Sequence, residues 1–121
     1  MKTYRINKNS EENVLTNETL REMRERIVRS FLDVIVLVNL RDGSPMGGYE
    51  VIKFIHQRFD MLMSPGTVYS FLYSLERDGL IKGAVMRRKR MYMLTDEGEN
   101  RIKTILEAKP RILDMMAELF I

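Results

Sequence analysis

From Leu20 onward, apolar residues recur at steps of three or four: Leu20, Met23, Ile27, Phe31, Ile35 and Val38. That spacing lines them along one face of a helix. Its first half turns Arg21, Arg24, Glu25 and Arg29 outward. Its second half, Phe31 to Leu40, is apolar on nearly every side apart from Asp33 and Asn39, the pattern of a centrally buried helix. Asn17, or Thr19 with Glu22 in capping-box spacing, predicts the start. Residues 1–17 are polar and read as a flexible arm. The turn-forming run Arg41 to Gly48 ends the helix.

A second helix is expected over 49–59, with Val51, Ile52, Ile55 and Phe59 inward, followed by a connector over 60–63. Ser64 then suits an N-cap and Pro65 the first position of a third helix. Val68, Phe71, Leu72 and Leu75 form its inward stripe, and Gly79 is placed to end it. After Gly79 the period falls to two. Residues 80–85 and 90–94 read as two strands of a hairpin with a basic tip. Thr95-Asp96-Glu97 opens a last helix, acidic in its first turn as the helix dipole favours. Its apolar positions run from Ile102 to Phe120, and Pro110 should kink or restart it. The fold class is therefore mainly α with a small β-hairpin. It is a winged helix-turn-helix over 18–94 and a C-terminal dimerisation helix over 95–121.

Composition narrows the chemistry. The 121 residues include no cysteine and no tryptophan, and one histidine, His56. Disulfides, thiolate metal sites and cysteine nucleophiles are excluded, and the ligands left do not suit zinc. Ser, Asp and His form no hydrolytic pattern. Gly43, Gly47 and Gly48 lack the Gly-Lys-Ser/Thr ending of a phosphate loop. No catalytic residue, cofactor or metal is assigned. The longest aliphatic run, Val34 to Val38, is far short of the ~20 residues that span a bilayer. The N-terminus has no apolar signal core, so a cytoplasmic location is expected.

Charge changes the picture more. The net charge is +3, yet residues 81–93 alone hold Lys82, Arg87, Arg88, Lys89 and Arg90 with no acid. Such a concentration suits a polyanion. Beside it, the outer face of the third helix offers Thr67, Tyr69, Ser70, Tyr73, Ser74 and Arg77. Hydroxyls and phenols bond phosphate oxygens, and short side chains let a helix enter the major groove. Ser64, Thr67, Tyr69, Ser70, Tyr73, Arg87, Arg88, Lys89 and Arg90 are the candidate DNA-binding residues. The plainer alternatives are that a tyrosine packs on the wing or first helix, and that the basic run is a solvated turn. Leu20, Met23 and Ile27, with Ile105, Ile112, Met116, Leu119 and Phe120, are the candidate dimer interface. A lone terminal helix cannot bury so wide a stripe on itself.

Three segments carry a family likeness. They are Gly48-Tyr49-Glu50-Val51-Ile52; Ser64-Pro65-Gly66-Thr67-Val68-Tyr69 with Leu72, Leu75-Glu76 and Gly79-Leu80-Ile81; and Tyr92, Leu94-Thr95 and Glu97-Gly98. Over about residues 30–107 the chain resembles the PadR family of transcriptional regulators, in a short form with a single C-terminal helix. Gly47 stands where the family often has His, and the wing tip has neither Gly nor Pro. The resemblance implies a homodimer joined through its terminal helices, with the third helix and wing on a DNA half-site. It also implies a small aromatic effector, although no tryptophan is present for an aromatic sandwich. The expected function is a homodimeric repressor reading a pseudo-palindromic operator in double-stranded DNA. The alternative is a winged-helix module that docks a protein through its tyrosine face.

Overall fold

The computed structural model describes residues 10–121. Its elements in order are α1 (Ser10–Ser30), α2 (Leu32–Arg41), α3 (Gly48–Phe59), α4 (Pro65–Arg77), β1 (Ile81–Met86), β2 (Lys89–Leu94), α5 (Asp96–Glu107) and α6 (Lys109–Glu118). The chain divides into two compact units, one ending at Phe31 and the other running from Leu32 to Ile121.

In the first unit, α1 begins well before the expected start. Residues 10–17, expected as arm, form its opening turns, and Asn17 and Thr19 lie inside the helix. The physical reason is local. Between Ser10 and Leu20 there is no Gly or Pro to break a helix. Residues 1–9 of the expected arm lie outside the described residues. The single helix expected up to Leu40 is interrupted at Phe31, so its amphipathic and its apolar halves are separate elements.

The second unit is a winged helix. The apolar helix α2 buries Leu32, Val36, Leu37 and Leu40, and Asn39 Nδ2 satisfies itself by donating to the Ile35 carbonyl at 2.7 Å. The same unit also buries Val51 and Ile55 of α3, Val68, Leu72 and Leu75 of α4, Ile81 and Tyr92 of the hairpin, and Ile102 of α5. The 60–63 connector is more than a link. Asp60 takes a left-handed φ of 52°, and the extended run after it buries Met61 and Met63 while exposing Leu62.

Caps fall where the sequence places them. Ser64 Oγ accepts from Thr67 N at 3.2 Å, with Pro65 opening α4. Gly79, at φ 79°, closes α4 with Leu80 N donating to the Leu75 carbonyl, a left-handed turn that other residues adopt only at a cost. Thr95 Oγ1 donates to the Gly79 carbonyl at 2.6 Å and accepts from Gly98 N at 3.0 Å. One side chain thereby fastens the end of α4 to the start of α5.

The C-terminal segment differs from expectation. The helix restarts at Ala108, two residues before Pro110, giving α5 and α6 instead of a single helix. α5 packs on α2 and β2, so the winged-helix body extends past residue 94. Ile102 is fully buried there. Ile102→Ala should therefore cost about 2–5 kcal/mol of stability in chemical denaturation. A loss below about 1 kcal/mol would show that α5 lies outside the core.

Candidate nucleic-acid interface

Leu75 and Leu72 turn one side of α4 inward and leave the opposite side open. Thr67, Tyr69, Ser70 and Tyr73 are all exposed, Tyr73 at 66%. Tyr69 is partly engaged: its ring lies against Gly48 at the start of α3, where a Cβ would run into it. It packs on α3. Ser64 Oγ, besides capping, donates to Thr67 Oγ1 at 2.8 Å. From the Ser64 cap to Tyr73 this side of α4 carries three hydroxyls and two phenols, groups suited to bonding anionic oxygens.

The wing is an antiparallel pair with Met86 opposite Lys89; β1 keeps the expected six residues but is shifted one position along the chain, and β2 gains Lys89 at its start. The loop is therefore only Arg87-Arg88. Both take positive φ, 50° and 68°. That is the backbone of a tight primed hairpin turn, which normally selects Asn-Gly. Arginine in this region stores strain. Among the described residues neither arginine makes an ion pair, and both side chains are exposed.

The other two bases of the cluster are differently placed. Adjacent strand residues point to opposite faces. Lys89 goes one way, its Nζ 3.4 Å from Glu50 Oε2 of α3 and 5.4 Å from the centre of the Tyr49 ring. Arg90 goes the other way, its Nη2 2.7 Å from Glu76 Oε2 of α4 and its guanidinium 5.7 Å from the centre of the Tyr92 ring. The four bases are not one patch. Two form the tip and two tie the wing to the helices on either side.

Both carboxylates have second tasks. Glu50 Oε1 accepts from Gly47 N at 2.9 Å and so opens α3. Glu76 Oε2 also accepts from Gly83 N at 3.0 Å. Both glutamates stand in the segments that carry the family likeness, but spacing alone gives them no role. Their partners lie 39 and 14 residues away, and only the fold brings them together. Burial acts against the charged form of Glu50, but hydrogen bonds from Gly47 N and from Lys89 outweigh it and hold its carboxyl below the usual range. The Arg90 and Gly83 donors hold Glu76 below that range too. A carboxyl depressed in the folded state stabilises above its ordinary pKa, and that contribution is lost as pH falls through the lower folded value. The stability difference between wild type and Glu76→Gln should then be constant near neutral pH and shrink below the ordinary carboxylate range. A difference independent of pH down to acid unfolding would contradict the bridge.

The winged-helix fold recurs in known proteins. The model of the transcriptional regulator PadR-like family matches residues 36–104. The transcriptional activator GvpE1 of Halobacterium salinarum is 30% identical over 84 residues, covering 68% of this chain and 43% of that protein. This chain spans about half the length of the curated relatives it matches. A transcriptional regulator from Clostridium thermocellum is 28% identical with a TM-score of 0.64, covering 77% of this chain and 93% of that one. A PadR-like transcriptional regulator from Bacillus cereus shares the fold at a TM-score of 0.67 and 17% identity, over 78% of this chain and 96% of that one. With the family's pattern spanning the second half of α2, all of α3 and α4, the hairpin and most of α5, the chain belongs to the PadR-like family of transcriptional regulators.

Proposed function

We propose that the chain is a DNA-binding transcriptional regulator acting as a homodimer on a pseudo-palindromic operator. In each half-site, α4 enters the major groove through Thr67, Tyr69, Ser70 and Tyr73, with Ser64 at its phosphate-facing end. Arg87 and Arg88 grip the backbone or minor groove. The observation that carries this reading is the Arg87-Arg88 turn, where charge is kept in a conformation that disfavours it. Lys89 and Arg90 contribute to the local field while bracing the wing.

Pairing rests on exposed apolar side chains at two places. On α1 these are Leu20 and Ile27, with Met23 half-buried. At the C-terminal end Leu119 and Phe120 are 78% and 79% exposed, with Ile112 and Met116 half-buried on α6 and Ile105 half-buried on α5. A second copy would cover the exposed set. The resulting dimer represses where its operator overlaps the polymerase site. From an upstream operator the same grip serves activation, the role in the name of the halobacterial relative. An open groove between the end of α4 and α5 is lined by Asp78, Leu80, Glu97, Asn100, Arg101 and Thr104. It has no aromatic surface, so it gives the implied small aromatic effector no stacking site.

Selection of bound fragments from random duplex DNA tests the reading. Two inverted half-sites about one helical turn apart are expected. No enrichment, with no binding to random duplex at low salt, would favour a protein-docking role. A double substitution separates fold from function at the tip. Arg87→Asn with Arg88→Gly installs the residues this turn prefers, so the melting temperature should rise. The same variant should bind all duplexes more weakly, with a log K against log salt slope shallower by about 0.9 for each phosphate the tip no longer neutralises. An unchanged slope would remove the tip from the interface.

A further inference from the structure

We propose that Glu76 is a positioning residue for sequence discrimination, because it locks the wing to the reading helix at one spacing. The inference rests on the DNA-binding reading above. An acid beside a phosphate-gripping surface repels the ligand, so its presence calls for a compensating task. The geometry supplies one. A single oxygen, Glu76 Oε2, receives Arg90 Nη2 at 2.7 Å and Gly83 N at 3.0 Å. It thus joins the last turns of α4 to the side chain of one wing strand and the main chain of the other. Gly83 leaves the space this needs: a Cβ there would lie 2.7–2.8 Å from the Arg90 guanidinium. Arg90 in turn is backed by the ring of Tyr92, which is buried.

The tie sits where it matters mechanically. The base of the hairpin is anchored by buried Ile81 and Tyr92, whereas Val85 to Lys89 are exposed. A two-stranded hairpin is marginal on its own and flexes about its base. With the wing locked to α4, phosphate contacts at the tip form only when α4 is in register with its bases. With the wing loose, the tip finds phosphates on any duplex. The bridge therefore acts on the ratio of specific to non-specific binding, in the sense opposite to the charge effect of deleting an acid.

The test measures Kd for the selected operator and for random duplex of equal length, at one salt concentration. For Glu76→Ala, random-duplex binding should stay constant or tighten up to about threefold, while operator binding weakens about tenfold or more, so the specificity ratio falls at least about tenfold. Glu99→Gln, an exposed acid on α5, makes the same charge change and should move both constants by one common factor. Arg90→Ala should lower the ratio as Glu76→Ala does, and the double variant should fall no further, since both remove one bridge. Glu76→Gln keeps an acceptor for Gly83 N and should lie between wild type and Ala. It carries the test if Glu76→Ala fails to melt cooperatively. Equal shifts in both constants, or effects of Glu76→Ala and Arg90→Ala on the ratio that add, would overturn the proposal. If the wild-type protein prefers no duplex at all, the DNA-binding reading fails first, before any variant is compared, and the proposal falls with it.

Discussion

Successive side chains on a strand must leave on opposite faces, and the wing depends on that constraint. Lys89 and Arg90 are neighbours in sequence, so one reaches α3 and the other α4. The hairpin is held from both sides by carboxylates that also serve the main chain, Glu50 at Gly47 N and Glu76 at Gly83 N. The outer edge of β2 is engaged at one point as well: Met46 pairs with Tyr92 through two backbone hydrogen bonds of 3.1 and 2.9 Å. Neither ion pair is deeply buried, so each contributes modestly to global stability. Their effect is geometric. They fix the direction of an element that has little core of its own.

Much of this was legible in the amino-acid order. The stripes Val51, Ile55 and Val68, Leu72, Leu75 are buried as their periods require. Ser64, Gly79 and Thr95 cap where their chemistry suits them. The candidate face of α4 was legible for the same reason, since an inward stripe defines an outward one. Other features were not. Local propensity carries α1 back to Ser10 without any apolar stripe to announce it. The division of the wing bases needed the strand register, which a shift of one residue would have reversed. The glutamate partners needed tertiary proximity, which no spacing rule encodes.

The turn at Arg87-Arg88 is where, on the proposed DNA-binding reading, folding and binding pull apart. Folding alone would select Asn-Gly there; the chain keeps two guanidinium groups in the same backbone. Strain of this kind persists only where the surrounding structure enforces it, and here the six-residue register from Ile81–Leu94 to Met86–Lys89 does so. The apolar surface near the C-terminus follows the same logic, since an exposed Phe120 is unfavourable in isolation and is the kind of surface the proposed pairing would cover.

The most direct measurement is the backbone amide spectrum of the protein, recorded as duplex DNA is added. The largest shifts should fall on Thr67 to Tyr73 and on Met86 to Lys89, with the α5–α6 residues little changed. Shifts that leave α4 and the wing tip untouched, or that cluster on another face, would contradict the account.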